Sequence, residues 1–103
     1  MTPAYVLLPD AEADLRTIIR YSRAQWGDAQ TRNYVAKLTR CIETIVGGER
    51  ATKDVSDLYP GLRMVHCQHH YIFCLPREND AALVVAIFHE RMDLMTRLAD
   101  RLK

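Results

Sequence analysis

Residues Ala82 to Phe88 read "ALVVAIF", a run with no polar position. A strand with one wet face alternates apolar and polar side chains. An unbroken, β-branched run of this length predicts instead the central strand of a sheet, covered on both faces. It is far shorter than the roughly 20 apolar residues that a membrane helix needs. The rest of the chain must therefore supply the cover.

Two helices precede it. After a short apolar run, "AYVLL" (Ala4 to Leu8), that ends at Pro9 and reads as a first strand, Asp10 is the expected N-cap. Glu12 and Asp14 fall in the first turn, where the helix dipole favours negative charge. Leu15, Ile18, Ile19, Ser22 and Trp26 recur at helical spacing, and this stripe predicts that Trp26 packs in the core. Gly27 closes the helix with a left-handed cap and Asp28 starts the next. The second stripe is Tyr34, Leu38, Cys41, Ile42 and Ile45, stopped by Gly47-Gly48. So short a connection predicts an antiparallel helical hairpin.

Residues 49–60 show no sustained period and read as a loop. Two strand-like runs follow, Leu62 to Cys67 and His70 to Leu75, with Gln68-His69 as the tip between them. That register sets Cys67 opposite His70, Val65 opposite Ile72 and Arg63 opposite Cys74, and gathers Leu62, Met64, His66, Tyr71, Phe73 and Leu75 on the other face. A tip without Gly or Asn is its one awkward feature. "PREND" is a turn, and Met92 to Leu102 is a final short helix, with Leu94, Met95, Leu98 and Leu102 facing inward. The order predicts one α+β domain over residues 1–103: an antiparallel sheet packed against an N-terminal helical hairpin, with a short C-terminal helix.

Composition narrows the function. The net charge is +1, with eight basic and eight acidic residues in 1–60 and six and five in 61–103. A clear basic excess, usual for proteins that grip nucleic acid through its phosphates, is missing. The N-terminus lacks a basic region followed by an apolar run, so no signal peptide is expected and the cytoplasm is the expected compartment. Cys41, Cys67 and Cys74 are an odd count and are expected there as free thiols.

"HCQHHYIFC" (His66 to Cys74) resembles a metal site, but strand geometry disperses it. His66 and Cys67 point to opposite faces, and Cys74 lies four residues beyond His70, roughly 13 Å along a strand. Only Cys67 and His70 remain, against the four ligands of a structural zinc site, so no metal and no cofactor is expected. A Cys67–His70 nucleophile pair lacks any oxyanion-hole signature. Arg16, Arg20 and Arg23 form a helix face that reads more simply as solvated, with Glu12–Arg16 an i,i+4 pair, than as a docking stripe. In "FHERMD", His89, Glu90 and Arg91 directly follow the most buried strand, a place where sites are often built. With Arg63 they fit a phosphate pocket in which His89 moves a proton; they equally fit helix N-terminal chemistry with an exposed ion pair.

The order of elements, "AEADLRTIIRYSRAQWG" in the first helix, "GLRMV…HHYIFC" in the hairpin and the closing "VVAIFHERMDLMTRLADRLK" resemble the RelE/ParE superfamily of small bacterial toxins over essentially the whole chain, and within it the ParE family. The resemblance implies a toxin of a plasmid-borne addiction module that inhibits DNA gyrase, traps its cleaved DNA and blocks replication. It implies a ParD-like antitoxin as partner, with operator DNA reached only through that antitoxin, and no membrane. On this reading the chain is not an enzyme. Met92, Met95, Arg91, Arg97, Arg101 and Lys103 are then the expected partner-binding residues. The alternative is a RelE-type ribosome-dependent mRNA endoribonuclease, for which Arg63, His89 and Arg91 would be catalytic. Against it stand the absent Lys/Arg-rich surface and the amphipathic segment that continues past His89 and Arg91.

Overall fold

The computed structural model describes residues 4–103, and Met1 to Pro3 lie outside them. Among the described residues the order is β1 (Tyr5–Leu7), α1 (Pro9–Trp26), α2 (Asp28–Val46), β2 (Lys53–Asp54), β3 (Arg63–Cys67), β4 (His70–Leu75), β5 (Ala82–His89) and α3 (Leu94–Arg101). The fold is α+β, as expected. The sheet order is β1-β5-β4-β3-β2. It is mixed rather than antiparallel, because β1 runs parallel to β5, with Tyr5 beside Ala82 and Leu7 beside Val84. A parallel pair needs a long crossover, and the 74 residues between Leu7 and Ala82 are ample. β2 forms inside the segment expected to be loop, too short to show a period, and pairs Lys53 with Met64.

The helix boundaries follow local chemistry with one adjustment. Pro9 is the first helical residue, not a breaker, and Leu8 takes the N-cap in place of Asp10. Proline suits this position because its missing N–H would be unpaired there anyway. Gly27 has φ +85°, which favours glycine, and links α1 directly to α2. At the hairpin tip the expected register is present in full: Cys67 faces His70, Val65 faces Ile72 and Arg63 faces Cys74. The turn is made without glycine, by Gln68 at φ +57°.

Both faces of the sheet are buried, against different partners. Val65, Cys67, Ile72, Cys74, Val84 and Ile87 pack under Ala11 and Ile18 of α1 and Leu38, Cys41, Ile42 and Ile45 of α2. The opposite face, with Leu62, Phe73, Val85, Ala86 and Phe88, packs under Leu98 of α3, flanked by Leu94 and Leu102. Met95 points outward and is half exposed, contrary to the inward stripe expected of it. An eight-residue helix has room for only one narrow apolar seam, and Leu94, Leu98 and Leu102 fill it. Trp26 is also exposed, edge-on to Tyr21 at 6.2 Å, instead of in the core. It is the last residue of α1, directly before the Gly27 turn into α2.

Pairing of β4 with β5 skips a residue: Phe73 faces Ala86 while Cys74 faces Val84, which leaves Val85 unopposed. This β-bulge turns Val85 and Ala86 both toward α3 and restores Ile87 to the helical-hairpin face. Cys41 of α2 and Cys67 of β3 are joined by a disulfide, with Cα atoms 6.4 Å apart. The expectation of three free thiols therefore holds only for Cys74, which is buried and whose thiol is pushed up to about 11 by that burial. Nothing in the spacing of Cys41 and Cys67 signals their meeting; packing α2 across β3 brings it about.

Candidate functional site

All four histidines of the chain collect at one end of the sheet, around the β3–β4 tip and the end of β5. His66, stacked on Tyr71 with ring centroids 4.5 Å apart, donates from Nε2 to Glu90 Oε1 at 2.8 Å. His69 donates from Nδ1 to the other oxygen, Oε2, at 3.1 Å. The Glu90 backbone N–H in turn donates to the His69 carbonyl at 2.9 Å. These hydrogen bonds, from His66 first and then His69, hold the Glu90 carboxyl below the usual carboxylate range. Glu90 thus straps the turn after β5 to the hairpin tip.

The helical-hairpin side of the same tip is tied by Tyr34. Its hydroxyl accepts from the His69 N–H at 3.0 Å and donates to His70 Nδ1 at 2.6 Å. His70 is buried and lies edge-on to His89, with ring centroids 5.1 Å apart. Burial, and then the neighbouring His89 and His69, push its pKa down to about 4, against the opposing charge of Glu90. A neutral ring with Nδ1 as acceptor is the form that the tyrosine requires. His89 accepts from the Arg91 N–H at Nδ1, 3.1 Å away, which bends the chain sharply after β5.

A second constellation fixes α3. Arg101 makes a bidentate pair with Asp14, Nη1 to Oδ2 and Nη2 to Oδ1 both at 2.9 Å. Its guanidinium lies 5.0 Å from the Phe88 ring centroid. β1 accompanies β5 only as far as Val84, so the rest of that edge has no strand beside it. Asp14 accepts from the Ile87 N–H at 3.0 Å and Arg101 donates to the Val85 carbonyl at 3.0 Å, so the pair satisfies backbone groups beside the bulge. A groove between the start of α1 and α3 is bordered by Asp10, Asp14, Met92, Arg97, Asp100 and Lys103.

The family model for the ParE toxin of the type II toxin–antitoxin system parDE matches residues 5–94. The chain belongs to this family. It is 64% identical over 100 residues to Toxin ParE of Escherichia coli, covering 97% of each chain. It is 28% identical over 94 residues to Toxin ParE1 of Mycobacterium tuberculosis, covering 91% of this chain and 96% of that one. A solved structure of a chromosomal ParDE system from P. aeruginosa shares the fold, with a TM-score of 0.65 at 14% identity over 84% of this chain and 96% of its own. The match takes in α1, α2, the whole sheet and the first residue of α3.

Within this ParE-family chain the three residues that would serve a nuclease are not gathered. Arg63 lies at the far end of β3 from the tip, four residues from Cys67, or roughly 13 Å. Its guanidinium is engaged there: Nε donates to Thr52 Oγ1 and Nη2 to the Thr52 carbonyl, both at 2.8 Å, with Asp54 at 3.6 Å. His89 and Arg91 stand together at the opposite end. Of the expected partner-binding set, Arg91, Met92, Met95, Arg97 and Lys103 are all exposed along the C-terminal segment. Lys103 makes only a surface pair with Asp100 at 3.6 Å. Arg101 differs: its side chain is 18% exposed and committed to Asp14. Sequence reasoning missed the strap through Glu90, the Tyr34–His70 contact and the Asp14–Arg101 clamp. Asp14, an acidic residue one turn into a helix, reads as dipole chemistry until α3 is seen against it.

Proposed function

We propose that this ParE-family toxin is a non-enzymatic inhibitor that binds DNA gyrase with its DNA, stabilises the cleaved state and blocks replication. It acts in the cytoplasm and is neutralised by a ParD-like antitoxin, through which alone the pair reaches its operator. Such a module serves plasmid maintenance. The observation that carries the reading is membership of the ParE family together with the separation of Arg63 from His89 and Arg91 along the sheet. Phosphoryl chemistry on RNA needs a proton-transfer group and a cation converging on one phosphate. Here the second of the two arginines, Arg63, is bonded to Thr52 at the far end of β3, away from His89 and Arg91.

The exposed C-terminal segment supports a binding role. Met92 and Met95 are 42% and 50% exposed, and methionine adapts to varied partner surfaces. Arg91 and Arg97 flank them with exposed positive charge suited to gyrase or its DNA. The test is purified toxin with gyrase, ATP and plasmid DNA. Trapped double-strand cleavage and loss of supercoiling are expected, both reversed by the antitoxin. Intact gyrase activity alongside mRNA cleavage on translating ribosomes would replace this reading with the endoribonuclease one.

A further inference from the structure

The structure assigns a second site to this chain: Cys41 and Cys67 form a reversible redox pair, set in a cationic cleft that receives an anionic low-molecular-weight disulfide such as that of glutathione. Three observations converge on it. The Cα separation of 6.4 Å lies within the range that a disulfide spans without backbone movement. Arg50 Nη1 touches Cys41 Sγ and lies 3.3 Å from Cys67 Sγ, so one guanidinium faces both sulfurs. Lys37 and Arg40, together with Glu49 as the one acid, line the same cleft.

Each feature suits exchange rather than a permanent staple. Cations beside a cysteine favour the thiolate, which is the reactive form. Cys41 and Cys67 are 7% and 2% exposed, and Arg50 covers them from an exposed loop position, so a shift of this one side chain opens the sulfurs. In a reducing compartment a disulfide that forms at all is typically transient or redox-sensing. In the forward step the Cys41 thiolate attacks one sulfur of the glutathione disulfide, giving a mixed disulfide and releasing one glutathione. Cys67 then attacks Cys41 Sγ and releases the second. Two electrons pass from the protein to glutathione, and the two thiol protons leave on the released glutathione molecules.

The bond ties α2 to the end of β3 that carries the histidine cluster, closing a loop of sequence separation 26. Oxidation should therefore stiffen the framework that positions that end of the sheet. The test uses the full chain equilibrated in glutathione buffers of graded ratio, with thiols counted by alkylation and mass spectrometry. Cys41–Cys67 should open and close reversibly, and the reduced form should melt lower by roughly 10 °C or more. Cys41→Ser and Cys67→Ser should each leave a mixed disulfide on the remaining cysteine. Arg50→Gln, or Lys37→Gln with Arg40→Gln, should slow exchange with glutathione at least about threefold relative to neutral 2-hydroxyethyl disulfide. Thiols that stay reduced in glutathione disulfide, reaction at Cys74 instead, or equal slowing with both reagents would each overturn the assignment.

Discussion

Burial of His70 beneath Tyr34 makes one imidazole a determinant of acid stability. Its pKa is depressed from the usual 6.5 to about 4, so between these values the unfolded chain binds a proton that the folded one refuses. Stability is then fully present above about pH 6.5 and is lost as pH falls toward 4. Allowing for solvent at the ring edge, the loss should approach about 2 kcal/mol. Urea midpoints at pH 7.5 and pH 4.5 should show this drop in the native chain and a smaller one in His70→Gln. A second residue-level effect lies at the tip, where Gln68 holds φ +57°. Gln68→Gly should stabilise by roughly 0.5–1 kcal/mol, since release of left-handed strain exceeds the entropy cost of glycine. A lower melting temperature in this variant would contradict the strain argument.

At the scale of elements, α3 is held by one apolar seam and one ion pair. With Asp14 and Arg101 at 16% and 18% side-chain exposure, the pair is shielded from solvent and bonded to the β5 backbone as well. Asp14 and Arg101 come from opposite ends of the chain, so the clamp fastens both to the same edge of β5. Arg101→Gln should cost about 2–3 kcal/mol, because it leaves Asp14 without its partner and the Val85 carbonyl without its donor. Amide exchange at Ile87 should accelerate with it, while exchange in β3 should change little. Equal acceleration across the sheet would mean that α3 is not a separable unit. The expected role of Arg101 in partner binding thus competes with a structural one that the geometry explains in full.

The whole molecule is a thin sheet with unequal covers: a long helical hairpin over small β-branched and cysteine side chains, and the short α3 over Phe73 and Phe88. Function on the proposed reading rests on what this frame leaves outside, the exposed side chains Arg91, Met92, Met95, Arg97 and Lys103. Growth arrest in bacteria separates the contributions. His89→Ala removes a ring whose Nδ1 only receives the Arg91 N–H, so toxicity should fall modestly, by less than about tenfold. A nuclease would lose about 10²–10⁴ in rate from the same change. Arg97→Glu leaves the apolar seam of α3 untouched and should weaken toxicity more, as measured by the inducer level that halts growth and by trapped gyrase cleavage. Full detoxification by His89→Ala with Arg97→Glu still lethal would reverse the ranking.

Periodicity and punctuation determined much of this by themselves. Gly27 and Gly47-Gly48 bounded α1 and α2, the unbroken run before His89 declared a strand covered on both faces, and alternation fixed the β3–β4 register residue by residue. These are local signals, carried by neighbours within a turn or a pleat. The motifs that closed the chain also carried the family resemblance that the comparison over residues 5–94 bears out. Contacts between distant segments were not legible: β1 parallel to β5, β2 within an aperiodic loop, Cys41 against Cys67, Glu90 between His66 and His69, and Asp14 on Arg101, 87 residues away. Each depends on the angle at which helices cross the sheet and on a one-residue bulge in β5. Those are set by packing of the whole core, which no single stretch of sequence contains.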